Sequence, residues 1–237
     1  MKILGIIPAR YQSTRLPEKP LIDILGKSMI RRVYEQAVKC SKLDHVIIAT
    51  DNEKIVKHIK EFGGDVVLTS SKHESGTDRC NEAIMKIKKS YDIVVNIQGD
   101  EPLINPVQIE EIVNLFKNND VEIATLANKI NDKSIMLDEN NPKVIVDNEF
   151  MAIDFCRTIR KTCAKKKYYK HLGIYAFRTQ VLKKICKLKQ TKKEIQQSLE
   201  QSRWLENGYK IKVGITKIKS VSVDTIEDLE KIRQIIR

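Results

Sequence analysis

Four short apolar runs rich in β-branched residues constrain the fold of this chain more than any other feature. They are ILGIIP (residues 3–8), HVIIAT (45–50), DVVLT (65–69) and DIVVNI (92–97). None alternates apolar with polar residues, which is typical of strands that are buried on both faces. Between the runs, apolar residues recur at helical spacing, for example Ile55, Ile59 and Phe62. This order of strands and helices predicts an α/β fold with a doubly wound, mostly parallel sheet.

Beyond about residue 120 the apolar segments become longer and are joined by turn-forming residues. The strand candidates there are VEIATLANKI (121–130), PKVIVDNEFMAIDF (142–155), HLGIYAF (171–177), KIKVGITKI (210–218) and KSVSV (219–223). In the second of them, VDNEF predicts a turn between antiparallel strands. We therefore expect a single domain over 1–237, in which an antiparallel extension of about 121–208 is inserted into a core of about 1–120 and 209–237.

Two helices are predicted near the end of the chain. At about 191–207, Ile195 and Leu199 are expected to share one face, and Gly208 can end the helix. The last helix begins after Thr225, which can cap it. Its apolar stripe consists of Leu229, Ile232 and Ile236.

Composition limits the classes of protein to which the chain can belong. Hydrophobic residues make up 41% of it, which is enough for a packed core. No apolar run approaches the roughly 20 residues of a membrane-spanning helix. Lys2 leads directly into an apolar run without a small-residue cleavage site, so no signal peptide and no membrane association are expected. The cysteines are odd in number and form no C-x-x-C pair, which favours free thiols in the cytoplasm over disulfides or zinc. They are Cys40, Cys80, Cys156, Cys163 and Cys186.

The formal net charge of +12 leaves the kind of partner open. A basic chain can bind nucleic acid or small anions, and it can also reflect a lysine-rich composition. Its lysines are spread along the whole chain, and the densest run is KKK at 165–167. Because no aromatic residues alternate with the basic ones to stack on bases, we expect no nucleic-acid partner. A nucleic-acid-binding protein without catalysis remains the alternative, and it would bind less tightly as salt rises.

The segment PARYQSTRLPEKP, residues 8–20, follows the first strand and is here called the anion loop. Its prolines keep it out of helical structure, and Arg10, Arg15 and Lys19 can converge on a polyanion. Ligands of doubly wound sheets lie beyond the carboxyl ends of the strands, where this loop begins. The segment matches neither the Walker A pattern nor G-x-G-x-x-G. By charge alone an ordinary basic loop is an equally good reading, and the position favours an anion site.

Two acidic residues complete the candidate site. Asp100 follows the fourth strand within NIQGDEP, where Gly99 allows the backbone to approach a ligand closely. A carboxylate there could hold Mg²⁺ against a triphosphate, and a plain turn is the alternative. Asp224 lies between KSVSV and the last helix. Taken by itself, an Asp at this position is best explained as a neighbour of the helix cap and not as a site residue.

Several motifs together resemble the 3-deoxy-D-manno-octulosonate (Kdo) cytidylyltransferases, also called CMP-Kdo synthetases. The resemblance covers essentially the whole chain and follows the order of motifs in that family. It is carried by IIPARYQSTRLPEKPL (6–21), ATD (49–51), SGTDR (75–79), VVNIQGDEPLI (94–104), HLGIYAF (171–177), LEQSRWLENG (199–208) and VDTIEDL (223–229). It implies a Rossmann-like nucleotidyltransferase fold and transfer of CMP from CTP to Kdo, with release of pyrophosphate, for lipopolysaccharide synthesis. It also implies a cytoplasmic homodimer.

The resemblance further implies a role for individual residues. Mg²⁺ would be the cofactor, bound by Asp100 and Asp224, and these two residues would be catalytic together with Lys19. The nucleotide would be bound by Pro8, Ala9, Arg10, Arg15, Lys19, Ser75, Gly76 and Thr77, within the core of about 1–120 and 209–237. The sugar would be bound by Gln98, Arg157, His171, Tyr175, Glu200 and Gln201, and the extension of about 121–208 would carry most of these residues and the dimer contact.

Departures from the family pattern concentrate around the residues implied for the sugar. CRTIRK (156–161) replaces a Ser-Arg-Ser-x-Ile-Pro pattern, Ser202 replaces Leu, and the lysine-rich loop that follows residue 161 is short. Ser222 and Ile226 also replace a common Gly and Pro. A modified sugar such as 8-amino-Kdo is therefore an alternative substrate, while sialic-acid-type enzymes match less well. A catalytically inactive regulator is a further alternative, but such a protein would be expected to lack a metal carboxylate.

Overall fold

The computed structural model describes residues 1–13, 15–159 and 167–237. The chain divides into two compact units. The first unit comprises residues 1–110 and 220–237, and the second comprises residues 111–219.

The first unit contains a parallel sheet of four strands. They are β1 (Ile3–Ala9), β4 (His45–Thr50), β5 (Val66–Leu68) and β6 (Ile93–Asn96), with a small antiparallel hairpin of β2 (Asp23–Ile24) and β3 (Lys27–Ser28). The order across the sheet is β6-β1-β4-β5, and every neighbouring pair is parallel. All four predicted strands of this half are confirmed. Their residues are almost entirely buried in β1, β4 and β6, as the unpatterned runs indicated.

The helices of the first unit begin at capping residues. They are α1 (Met29–Val38), α2 (Glu53–Glu61), α3 (Gly76–Lys86), α4 (Pro106–Asn114), in which the boundary between the units falls, and α9 (Ile226–Ile236). A short 3₁₀ turn occupies Lys19–Leu21. The side chains of Ser28, Asn52 and Ser75 accept backbone N–H groups at the starts of α1, α2 and α3. These bonds satisfy amides that have no partner within the helix.

The second unit has a mixed sheet. Its strands are β7 (Ile123–Lys129), β8 (Lys143–Val146), β9 (Ala152–Cys156), β10 (Tyr168–Arg178) and β11 (Ile211–Thr216). The order is β11-β7-β10-β8-β9, with only β11 and β7 parallel. Its helices are α5 (Lys133–Leu137), α6 (Thr179–Ile185), α7 (Lys192–Gln197) and α8 (Gln201–Glu206), and a 3₁₀ turn occupies Leu115–Lys117. The α/β class with an antiparallel extension is thus confirmed, including the turn between β8 and β9.

The predicted continuous helix at about 191–207 is wrong. Ser198 has a left-handed backbone, with φ of 51°, and it separates α7 from α8. Thr191 and Glu194 form a reciprocal capping box at the start of α7. The break also separates the two residues expected to share a face, since Ile195 is 62% exposed and Leu199 only 5%.

The predicted strand at 219–223 is also wrong, because these residues form no strand. The segment makes a single backbone hydrogen bond to the loop after β6, from the Val223 N–H to the Asp100 carbonyl oxygen at 2.9 Å. That bond holds the segment against the loop after β6, just before α9 begins.

Two expectations from composition can be compared with the described residues. None of the helices in the described ranges is long and apolar enough to cross a membrane. Cys40, Cys80, Cys156 and Cys186 all carry free thiols, whereas Cys163 lies outside the described residues.

The last helix is held by a small apolar cluster that also packs against the anion loop. Its members are Leu16, Ile24, Met29, Val223, Leu229 and Ile232. Ile232 is fully buried, while Ile235, three residues further along α9, is 61% exposed. Burial of the apolar stripe therefore fixes the position of α9 and of the residues that precede it.

This cluster yields a stability prediction. Ile232→Ala should lower the free energy of unfolding by about 2–5 kcal/mol, because it removes buried methyl groups and leaves a cavity. Ile235→Ala, the same change at an exposed position, should alter it by less than about 0.5 kcal/mol. Denaturant unfolding of both variants would measure the difference, and equal losses would contradict the assigned packing.

Candidate active site

A polar cavity of about 390 Å³ opens at the carboxyl ends of the parallel strands in the first unit. β1 leads into the anion loop, and β6 leads into Gln98, Gly99 and Asp100. The residues that line the cavity are Pro8, Ala9, Arg10, Ser13, Arg15, Lys19, Pro20, His73, Glu74, Ser75, Gly76, Arg79, Gln98, Gly99, Asp100 and Asp224. Its volume lies within the range of ordinary small-ligand sites. The cavity brings together nearly all the residues predicted for the nucleotide, with both predicted metal ligands and one predicted sugar ligand.

Lys19 joins the two acidic residues of the cavity. Its ammonium lies 2.9 Å from Oδ2 of Asp100 and 3.0 Å from Oδ1 of Asp224. The lysine side chain is 14% exposed, so water screens these contacts less than at an open surface. The two carboxylates are therefore close enough to share one cation.

The arrangement of the acidic pair has a clear local cause. The hydrogen bond from Val223 to the Asp100 carbonyl places Asp224 beside Asp100. Thr225 and Asp228 then form a capping box at the start of α9, and Oδ2 of Asp228 also accepts the Asp224 N–H. Burial opposes ionisation of Asp228, but these hydrogen bonds outweigh it and lower the pKa of its carboxyl.

The arginines of the anion loop are more exposed than Lys19. Arg15 donates to Oδ1 of Asp224 at 2.8 Å, but its side chain is 63% exposed. An ion pair in that position contributes little to stability. Arg10 lines the cavity and is exposed. Both guanidinium groups can therefore turn to an anionic ligand without losing a strong contact to the protein.

The opposite wall of the cavity is the start of α3. Ser75 caps the helix, accepting the Asp78 N–H at 3.1 Å and donating to Oδ2 of Asp78 at 2.8 Å. Gly76 packs against the ring of Pro8, since an added Cβ would lie 3.1 Å from Pro8 Cγ. Thr77 points elsewhere: it is buried and accepts a hydrogen bond from Asn96 at 3.3 Å. Of the residues predicted for the nucleotide, Thr77 alone is not among the described residues that line the cavity.

Several residues of this region were not predicted as site residues, and three of them form ion pairs there. His73 and Arg79 line the cavity, and Asp51 forms an ion pair with Arg79 at 3.0 Å. His73 also pairs with Glu82. Burial opposes ionisation of Glu82, but hydrogen bonds from Lys86, the Ser70 N–H and His73 outweigh it and lower the pKa of Glu82 to about 2. The motifs ATD and SGTDR contain Asp51 and Arg79, so the sequence held a signal for both, but it did not show that they form a pair.

Gly99 makes a close approach, but to the protein itself. A Cβ at this position would lie 2.6 Å from the carbonyl oxygen of Pro8. Gly99, expected from the sequence to admit a ligand, lines the cavity and also brings the backbone after β6 against the backbone after β1. This contact sets the distance between Asp100 and the anion loop.

The residues predicted for the sugar are distributed over both units. Gln98 lines the cavity of the first unit. In the second unit His171 and Tyr175 lie on β10, with their ring centroids 5.4 Å apart, and the Trp204 ring lies 5.1 Å from that of Tyr175. Within the described part of the chain, the Tyr175 hydroxyl, Trp204 Nε1 and Gln201 Nε2 are buried without a hydrogen-bond partner. Such orphaned polar atoms are what a polar ligand would satisfy.

His171 and Tyr175 are uncharged in these surroundings. Burial lowers the pKa of His171 to about 3. The Thr125 hydroxyl lies 3.0 Å from its Nε2. Burial, and to a smaller degree the nearby Glu200 carboxylate, raises the pKa of Tyr175 well above its usual value. Both side chains can thus offer hydrogen bonds without carrying charge.

Arg157 has a structural role in addition to the one predicted. Its guanidinium donates to the carbonyl oxygens of Gln197 at 2.6 Å, Glu139 at 3.1 Å and Ser198 at 3.4 Å. Since a guanidinium has five N–H donors, these bonds engage only part of it. The departures that follow Arg157 fall mostly on residues 160–166, outside the described residues, whereas Ser202 is buried in α8.

The described residues include no group of three or more His, Cys, Asp and Glu side chains arranged to hold a metal ion. Asp100 and Asp224 are the pair that the resemblance implies. Any ion bound there would need further ligands from a substrate or from water.

Comparison with known proteins agrees with this geometry. The family model described as Cytidylyltransferase matches residues 4–212. A relative from Parabacteroides distasonis named 3-deoxy-manno-octulosonate cytidylyltransferase is 50% identical, over 98% of this chain and 96% of that protein. A solved structure of CMP:2-keto-3-deoxy-manno-octonic acid synthetase complexed with CTP is 36% identical, with a TM-score of 0.92, and covers 100% of this chain and 98% of that one.

A more distant structure shares the fold alone. The 4-diphosphocytidyl-2C-methyl-D-erythritol synthase of Anaerococcus prevotii has a TM-score of 0.68 at 14% identity, over 99% of this chain and 98% of the other.

The contact at Gly99 yields a prediction. Gly99→Ala should weaken binding of a ligand in the cavity at least about tenfold. The added methyl group would push the backbone at Gly99 away from the backbone at Pro8, and backbone atoms cannot move aside as easily as the end of a side chain. Gly214→Ala is the matched control, since its Cβ would instead press on the Leu126 and Leu115 side chains in the second unit. Titration calorimetry with CTP would show the effect, and unchanged binding by Gly99→Ala would contradict it.

Proposed function

The chain belongs to the 3-deoxy-manno-octulosonate cytidylyltransferase family, and we propose that it transfers CMP from CTP to the anomeric hydroxyl of Kdo with release of pyrophosphate. The observation that carries the proposal is the cavity in which Lys19 bridges Asp100 and Asp224 opposite the capped start of α3. The relatives are named for this sugar without modification, so an 8-amino sugar is not favoured.

The cationic wall of the cavity suits a triphosphate. In the reaction the sugar hydroxyl oxygen bonds to the α-phosphorus and gives up its proton to water. The bond from that phosphorus to the bridging oxygen of pyrophosphate breaks. Negative charge accumulates on the leaving pyrophosphate, where Arg10, Arg15 and Lys19 can neutralise it. A covalent enzyme intermediate is not needed, because the hydroxyl attacks directly.

The two carboxylates have the chemistry of a magnesium site. Mg²⁺ prefers hard oxygen ligands and commonly takes one or two protein carboxylates together with substrate phosphates. Asp100 and Asp224 converge on the Lys19 ammonium, which shows that they can face one cation. When bound, Mg²⁺ would supply Lewis-acid activation of the phosphate. Our proposal is that these two residues hold it, with Lys19 moving toward the phosphates.

The remaining roles are assigned residue by residue. Pro8, Ala9, Ser75 and Gly76 line the cavity with backbone and small side chains, which suits close recognition of a pyrimidine. For the sugar, polar groups on Gln98, Arg157, His171, Tyr175, Glu200 and Gln201 are proposed. Thr77 is assigned a supporting role through Asn96 instead of direct contact with the nucleotide.

The setting of the enzyme is part of the proposal. Four described free thiols agree with a reducing cytoplasm. A homodimer and a place in lipopolysaccharide synthesis are implied by the family resemblance alone.

Metal dependence can be tested at the two carboxylates. Asp100→Asn and Asp224→Asn should each lower kcat by about 100-fold or more with the fold intact, because each replaces an anionic ligand by a neutral one. Asp92→Asn is the control, since Asp92 accepts the Lys2 N–H outside the cavity. Pyrophosphate release at increasing Mg²⁺ would measure the effect. Near wild-type rates in both variants would exclude the metal assignment.

Substrate choice gives the test of the function as a whole. The protein should release pyrophosphate from CTP only when Kdo and Mg²⁺ are present, with ATP and GTP inactive. UTP should be used roughly 10- to 100-fold less well, because it presents an acceptor where CTP presents a donor. A panel of nucleotides and 3-deoxy-2-keto acid sugars would decide this, and no release with CTP and Kdo would refute the proposal.

A further inference from the structure

Asp51 lies just after β4 and makes one contact to each wall of the nucleotide cavity. Its Oδ1 accepts the N–H of Tyr11, in the anion loop, at 3.0 Å. Its Oδ2 accepts from Nη2 of Arg79, on α3, at 3.0 Å. The Asp51 side chain is 11% exposed and is not itself among the residues that line the cavity. One carboxylate therefore links two segments that both contribute to the lining.

Arg79 extends this link to the loop of residues 69–75, here called the α3 loop. The Arg79 side chain is 4% exposed, and its Nη1 donates to Thr69 Oγ1 at 2.7 Å and to the Ser70 carbonyl at 3.1 Å. Glu82, almost one turn further along α3, accepts the Ser70 N–H at 2.9 Å. Arg79 and Glu82 thus hold the start of the α3 loop against its helix. Its other end, which lines the cavity, is fixed where Ser75 caps α3.

Tyr11 fixes the other end of the link. Its hydroxyl donates to Glu18 and accepts from Lys54 Nζ at 2.8 Å, and that ammonium lies 5.1 Å from the centre of the ring. Tyr11 is the neighbour of Arg10, which lines the cavity. The orientation of the anion loop around Arg10 therefore depends on a residue whose N–H is bound by Asp51.

We propose that Asp51 is a positioning residue that holds the anion loop and the α3 loop at the separation required to bind CTP. This inference rests on the proposed function, since it concerns the same nucleotide. Asp51 touches no substrate and acts through Tyr11 and Arg79. Its two oxygens are divided between a neutral backbone donor and a buried guanidinium, and only a carboxylate can accept from both.

The isosteric variant Asp51→Asn separates these two contacts. An amide has one acceptor oxygen, so it can serve Tyr11 or Arg79 but presents a donor to the other. In either orientation the neutral amide leaves the buried Arg79 charge without its counter-ion. Either arrangement alters the distance between the two loops, and neither removes a group from the cavity itself.

The experiment compares Asp51→Asn with the wild type and with Asp44→Asn. Asp44 also accepts a backbone N–H of β1, that of Ile3 at 2.7 Å, but at the end of the strand away from the cavity. Steady-state pyrophosphate release would be measured while CTP and Kdo are varied separately, with melting temperatures for all three proteins. For Asp51→Asn we expect the KM for CTP to rise about tenfold, which corresponds to about 1.4 kcal/mol. The KM of Asp51→Asn for Kdo, and its kcat at saturating CTP, should each stay within about twofold of the wild-type values.

Asp44→Asn should lower the melting temperature without altering the KM for CTP. If both variants lose stability and neither changes that KM, Asp51 is only structural and the inference is wrong. A wild type that is inactive with CTP would instead refute the proposed function. An active wild type with an unaltered Asp51→Asn refutes the inference alone.

A double-mutant cycle with Arg79→Met tests the link directly. Because both changes break the same contact, the combined rise in the KM for CTP should be close to that of the larger single change and well below their product. Independent multiplication of the two effects would overturn the proposal. If Asp51→Asn does not accumulate as folded protein, Asp51→Glu, which keeps the charge but displaces the carboxylate by one methylene, should show the same selective rise in the KM for CTP.

Discussion

The parallel pairing of β1 with β4 and β6 is the constraint on which the candidate site depends. In a parallel sheet the carboxyl ends of the strands lie at one edge, so the loops that follow them meet there. The register aligns Ala9 with Thr50 and Ile6 with Asn96. The anion loop, Asp51 and Asp100 all follow these strands within a few residues. The caps of α3 and α9 complete the surroundings.

Features with a local cause were predictable from the sequence. The four parallel strands of the first unit were visible as β-branched runs, although the short β5 is not buried as expected. The anion loop was recognisable because its charges and prolines follow β1. Other features depend on contacts between distant residues. The left-handed Ser198 divides α7 from α8 although no glycine or proline marks the break. The approach of Gly99 to Pro8, and the pairing of Asp51 with Arg79, required the fold before they could be seen. The roles of individual sugar residues stay predictions.

The ion pairs of the cavity bear on how a ligand would enter it. Lys19 and Arg15 neutralise Asp100 and Asp224, so the site without nucleotide is balanced in charge. Under the proposed mechanism, binding exchanges these internal partners for phosphate and metal. A basic loop without such partners would attract an anion through unpaired charge alone, and salt would screen that attraction. The ion pairs within the cavity thus distinguish this site from the lysines spread along the rest of the chain.

Trp204 gives the molecule an optical property. It is the single tryptophan of the chain, it is fully buried, and its ring meets those of Tyr175 and Phe177 edge-on, at 5.1 and 5.3 Å. Excitation at the red edge of protein absorbance therefore addresses one indole in the second unit and nothing in the nucleotide cavity. The protein carries a native fluorophore beside Tyr175, so the emission of this indole can follow events in the second unit without an attached dye.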